Sequence, residues 1–260
     1  MTIKQTLSAL GILIVLGGAV GFWASRTTPA PVAEQHILMG TKTADGDYQY
    51  SEQTDCFAIK ANYPAATGLG AAADVKAREM IETRLKHEID QFKADNDVSS
   101  RDPEQTKALG ICGERKFTLE MTYKKYSGSN SVSYFYTVYA DSLGAHPNAY
   151  FITFVFDENG KVVSIQDVLR TADLTELSSL VSTDVQKQLI ARLGDSLPVG
   201  AEGPDVTGAM FPEGVAAKED NFKNFVIDGD TLAIEIPPYQ VAAWAAGSFE
   251  VRIPLADLAR

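Results

Sequence analysis

Histidine, cysteine and tryptophan are scarce in this chain: 260 residues hold three, two and two of them. The histidines, His36, His87 and His146, stand far apart, one in a Pro- and Thr-rich stretch and one among charged positions. They do not make a histidine-rich metal site, and Cys56 and Cys112 have no second ligand at close spacing. No G-x-S-x-G, S-x-x-K, H-E-x-x-H or inverted zinc motif occurs. No catalytic residue, metal or cofactor is therefore expected. Positive charge is in deficit, with 23 basic residues against 34 acidic ones and a net charge of −11. Such a surface disfavours nucleic acid and anionic lipid and steers a basic protein towards it.

Charge is missing altogether from residues 5–25, "QTLSALGILIVLGGAVGFWAS", between Lys4 and Arg26. At ~1.5 Å per residue that run makes about 30 Å of helix, the hydrocarbon thickness of a bilayer. A cleaved signal peptide is the alternative, but Phe22 and Trp23 stand where a cleavage site wants small residues. The expectation is one transmembrane helix over 1–26, with the bulk of a single-pass membrane protein outside the cytoplasm. In an oxidising compartment Cys56 and Cys112 can join, closing a loop that stabilises by about 4 kcal/mol; two buried free thiols are the other reading.

Residues 27–48 read as a linker that holds His36 incidentally. A strand is expected at 54–62. The next segment carries Ile81, Leu85, Ile89 and Phe92 at helical spacing, with His87 on the solvated side. In "ERKFTLEMTYKKYS", Phe117, Leu119, Met121 and Tyr123 alternate with polar residues, which is strand periodicity. "GSN" at 128–130 turns into a second strand, and Asn159-Gly160 signals a further hairpin. A second amphipathic helix over 173–193 places Leu174, Leu177, Val181, Val185 and Leu189 on one side, with Asp173 as N-cap. The fold class is α+β: mainly antiparallel sheet with two amphipathic helices. A small N-terminal subdomain over 49–140 and a C-terminal one over 141–260 are expected.

Two stretches invite chemistry. "GLGAAA" at 68–73 fits a dinucleotide fingerprint, but a spacer separates it from its strand and no acidic second strand follows. "DSLGAHPNAY" at 141–150 puts His146 in a corner where Gly144 is flexible, Pro147 restrains its predecessor and Asn148 tolerates unusual dihedrals. No partner constellation accompanies His146, so a structural corner is favoured over a catalytic one. A carboxylate pair is available among 34 acids, yet nothing nominates one. Tyrosines crowd positions 123–150, and alternation sends Phe135 and Tyr136 to opposite sheet faces, one of them exposed or covered by a helix.

"YADSLGAHPNAYFITFVFDENGKVVSIQDVL" and "FVIDGDTLAIEIPPYQVAAWAAGSFEVRIPLADL" resemble the extracytoplasmic sensor-domain family of the lysozyme-responsive anti-sigma factor RsiV. The first holds a Gly-Ala-His-Pro turn, the second a Pro-Tyr-x-Val-Ala and a Gly-x-x-Glu-Val-x-Ile-Pro signature. The part from Cys56 to about Tyr139 is similar to the small domain that precedes it there and accompanies a PdaC-like peptidoglycan deacetylase. Leu143 stands where that family often has glycine. The resemblance implies a non-enzymatic receptor whose partner is a basic envelope-active protein such as lysozyme, or peptidoglycan. It makes His146, Pro147, Asn148 and Tyr239 the binding candidates. With only "MTIKQ" before the apolar run, no cytoplasmic anti-sigma segment is expected. An envelope enzyme acting on peptidoglycan is the alternative.

Overall fold

The computed structural model describes residues 36–194, 199–200, 203–204 and 210–258. The expected transmembrane helix over 1–26 and the linker as far as residue 35 lie outside them. Among the described residues no helix is long and apolar enough to cross a membrane. Residues 36–260 form one compact unit.

The architecture is α+β. Strands β1 (Thr41–Lys42), β2 (Tyr48–Gln53), β3 (Phe57–Tyr63), β4 (Phe117–Ser127), β5 (Ser131–Asp141) and β6 (Asn148–Asp157) lie side by side in sequence order. All neighbours are antiparallel except β3 and β4, which run parallel. The exception follows from α1 (Ala71–Asp95), whose 25 residues carry the chain back along the sheet before β4 begins. The sheet is therefore mixed. Ile81, Leu85, Ile89 and Phe92 of α1 are buried against Phe117, Leu119 and Met121 of β4, as their periodicities require. Short α2 (Pro103–Ala108) follows α1.

A second layer pair is built from later residues. The hairpin signalled by Asn159-Gly160 forms, with Val162 bridged antiparallel to Phe156 and Val163 N donating to Val155 O at 2.8 Å, and the chain then enters α3 (Ile165–Leu169). A capping box explains the start of that helix: the Ser164 hydroxyl accepts from Asp167 N while the Asp167 carboxylate accepts from Ser164 N. Gly160 has φ +74, and a Cβ there would come within 2.7 Å of Ala73 O, so only glycine fits. Helix α4 (Thr175–Leu193) buries Leu177, Val181, Val185 and Leu189, and Asp173 Oδ1 accepts from Thr175 N at 2.9 Å. Two-residue strands β7 (Val199–Gly200) and β8 (Gly203–Pro204) pair, and α5 (Phe211–Gly214) precedes β9 (Phe225–Asp228), β10 (Thr231–Ile236) and β11 (Phe249–Pro254). The last three form an antiparallel sheet with β10 in the middle, and α6 (Leu255–Leu258) follows.

Leu232, Ile234 and Ile236 of β10 share one core with α4, while Tyr134 and Tyr136 of β5 share another with α1. Between the sheets lies a smaller cluster of Phe135, Val226 and Ala233. The layer order is helix, six-stranded sheet, three-stranded sheet, helix. The face that carries Phe135 is thus covered by a sheet, not by a helix. Ser133 Oγ fixes that contact by accepting from Ile227 N at 3.0 Å.

Residues 36–48, read from sequence as the end of a linker, are packed. Leu38 is buried, and Glu82 accepts from Ile37 N at 2.6 Å and Leu38 N at 3.1 Å. His36 Nδ1 lies 2.8 Å from Glu82 Oε1 and its ring 4.3 Å from that of Tyr48, so this histidine ties the segment down. The expected border after residue 140 falls inside β5, and the two halves share the six-stranded sheet. Cys56 and Cys112 form a disulfide that joins the turn before β3 to the approach to β4, next to a bond from Phe117 N to Cys56 O.

Candidate functional site

Two loops meet at one end of the stacked sheets. One joins β5 to β6 and carries His146; the other joins β10 to β11 and carries Tyr239 and Trp244. His146 Nδ1 lies 2.9 Å from Pro147 O, which can only accept, so in the neutral ring that nitrogen holds the proton. Nε2 then accepts from the Tyr239 hydroxyl at 3.0 Å. The imidazole also stacks on Trp244, with centroids 4.7 Å apart and planes inclined by 25°; Tyr239 lies 6.1 Å away at 28°. Tyr239 is 47% exposed and Trp244 40%, so the three rings form an open aromatic surface.

The backbone is shaped to present these rings. Leu143 has φ +60 and Tyr239 φ +71, left-handed values that cost a non-glycine residue of order 1 kcal/mol. Leu143 thus adopts the conformation that glycine takes freely. Leu143 N donates to Asp141 Oδ1 at 2.8 Å, and its carbonyl accepts from Arg115. On the other loop Gln240 Nε2 donates to Gly214 O and Asn221 O, and a Cβ at Gly214 would collide with Gln240 O at 2.0 Å. Arg192, from the end of α4, donates to Ala246 O at 3.1 Å and Ser248 O at 2.7 Å while lying over the Phe249 ring. That guanidinium holds the short turn Trp244–Ala246 in place.

Of the four sequence-derived candidates, His146 and Tyr239 come within hydrogen-bonding distance, and Pro147 contributes its carbonyl. Asn148 is exposed at the start of β6, in register with Ala140. Trp244 and Arg192 were missed. The signal for Trp244 was present, a lone indole in the uncharged run "PPYQVAAWAAGS". His87 is exposed on α1, as its polar neighbours suggested.

Two other features have the outward form of a site. A groove of about 1040 Å³ runs between α3, α4 and the ends of the two sheets. Of its acids, Asp157, Asp167 and Asp173 are occupied as acceptors in local turns and caps, and Glu176 stands in the first turn of α4. The second feature is a carboxylate pair: Glu235 of β10 stands opposite Glu250 of β11. Glu235 is 9% exposed, and burial followed by the Glu250 charge raises its pKa to about 7, with Lys124 and Arg252 pulling the other way. It shares the β10 face of Ala233, which packs against the larger sheet. Among the described residues no group of His, Cys, Asp and Glu is arranged to hold a metal ion.

No curated protein matches the chain. Two solved structures are similar to it. A DUF3298 family protein from Pseudomonas aeruginosa PAO1 has 11% identity and a TM-score of 0.50, with 86% of this chain and 94% of that one covered. A member of the same family from Bacteroides fragilis NCTC 9343 has 14% identity and a TM-score of 0.49, over 82% and 90% of the two chains. At such identity the likeness to the Pseudomonas protein is one of fold. Residues 166–256, the part of the chain that supplies Tyr239 and Trp244, match the model of a family described as protein of unknown function (DUF3298).

Proposed function

We propose that this chain is a membrane-anchored, extracytoplasmic binding protein, not an enzyme, and that it meets its ligand at the His146, Tyr239 and Trp244 surface. The observation that carries this reading is the exposed aromatic cluster, held by Arg192 and Gln240. Exposed tyrosine and tryptophan on pinned loops are what binding hot spots are made of. The uncharged stretch 5–25 supports the anchor, and the disulfide agrees with an oxidising compartment. The resemblance points to a basic envelope-active protein such as lysozyme, or to the cell wall, and the net charge of −11 favours approach of the former.

The test uses fragment 36–260 immobilised at moderate salt and offered lysozyme and, separately, purified cell wall. Retention of either that is lost in Tyr239→Ala and Trp244→Ala supports the reading. No retention of both at about tens of micromolar binding sites sinks it. Release of deacetylated or cleaved wall products would instead favour the enzymatic alternative.

A further inference from the structure

The two loops that build the aromatic surface lack something the rest of the chain has in abundance. Charged residues make up 22% of the sequence, yet residues 142–156 and 236–249 contain no Asp, Glu, Lys or Arg. Arg115 and Arg192 reach these loops from outside and donate to their carbonyls. What the surface offers instead is the imidazole stacked with Trp244 and Tyr239, whose planes lie 25° and 28° from its own and which are 40% and 47% exposed. The same two connections carry neutral hydrogen-bonding groups, the Tyr239 hydroxyl, the Asn148 amide and the Ser142 hydroxyl, all on exposed residues.

We propose that this surface binds a neutral pyranose chain. A pyranose has a face of C–H groups and an edge of hydroxyls. The face packs on an aromatic ring, whose quadrupole is negative above its plane, and the edge exchanges hydrogen bonds with amides and hydroxyls. Neither contact needs a formal charge. A lysine- or arginine-rich protein surface finds only Asp141 at the base of one loop, its carboxylate engaged by Leu143 N, and an anionic polymer finds no Lys or Arg within these loops. The acidity of the chain therefore lies elsewhere on the molecule, where it can steer but not select. The inference rests on the aromatic cluster being the binding surface, and it names the ligand chemistry.

Trp244 is the single tryptophan of residues 36–260, so its emission reports on the surface directly. Fragment 36–260 is titrated with chitotetraose and cellotetraose, which are neutral, and with tetragalacturonic acid, which is not; lysozyme is the fourth arm. Both neutral chains should give a saturable change in emission with a dissociation constant of about 0.1–1 mM, the affinity of a shallow surface. Binding should be unchanged between about 0.05 and 0.5 M salt, because no ion pair is formed. Tyr239→Ala and Trp244→Ala should each weaken it by about tenfold, read by saturation-transfer NMR on the sugar protons. No saturable response to either neutral chain up to about 10 mM, with lysozyme still held through Tyr239 and Trp244, overturns the saccharide and leaves the binding surface standing. Tighter binding of the galacturonate also overturns it. Silence in all four arms and with cell wall fails both readings.

Discussion

His146 uses both ring nitrogens within the protein, one on Pro147 O and one on the Tyr239 hydroxyl. A histidine so occupied behaves as a strut between two loops. His146→Ala should lower stability by about 1 kcal/mol, visible as a lower melting temperature of fragment 36–260, the size expected for losing two exposed hydrogen bonds and a ring contact. An unchanged melt would remove the strut. The pair role was legible only in half: the Gly-Ala-His-Pro-Asn corner marked His146, but the position of Tyr239, 93 residues on, comes from the stacking of the two sheets. Glu235 was not legible at all, since one acid in a strand looks like any other. Its pKa of about 7 lies above the ordinary 4.5, so the native state holds a proton that the unfolded chain releases. Stability from this group is present below about pH 4.5 and is lost as pH rises through 7. Glu235→Gln should therefore raise stability at pH 8 by about 2 kcal/mol and change little at pH 4, measured by urea unfolding at both values. An equal effect at the two pH values would contradict the assignment.

Elements with a clean period were read from sequence almost residue by residue. The stripes of α1 and α4 and the alternation of β4 bury the residues their spacing selects, except that Tyr123 of β4 is only half-buried. Where two local signals followed closely, both were obeyed and each was cut short. Asn159-Gly160 made its hairpin, but Ser164 and Asp167 capped a helix directly after Val163, so the returning arm stayed short. The tyrosine strand β5 was legible as a strand, but its cover was not, because the three-stranded sheet that covers Phe135 is formed by residues some ninety positions later. On the opposite face Tyr136 is fully buried and its hydroxyl has no hydrogen-bond partner among the described residues; burial raises its pKa well above the ordinary value. An unpaired buried hydroxyl costs about 1 kcal/mol or more. Tyr136→Phe should accordingly stabilise the fragment by about 1 kcal/mol in urea unfolding. A loss of that size would mean that an internal water satisfies the hydroxyl.

Across the molecule, the disulfide ties the start of β3 to the approach to β4 and so braces the one parallel pair of the larger sheet. The sequence separation of 56 residues makes its chain-entropy contribution roughly 4 kcal/mol, reduced by any residual order in the unfolded chain. The double variant Cys56→Ser, Cys112→Ser should lose about 2–4 kcal/mol, seen as a lower urea midpoint than that of the oxidised protein. If the midpoint is unchanged, the disulfide is no brace. Composition and cysteine count made this pairing an expectation, whereas the union of both halves through a shared sheet was beyond any local pattern.

The loop that carries His146 belongs to the six-stranded sheet, and the loop with Tyr239 and Trp244 belongs to the three-stranded one. Each sheet packs chiefly against its own helix, but Val155 of the larger sheet enters the core of α4, and Ser133 and Thr153 bond across to Ile227 and Phe225. A ligand resting on both loops would therefore work as a rivet across a seam.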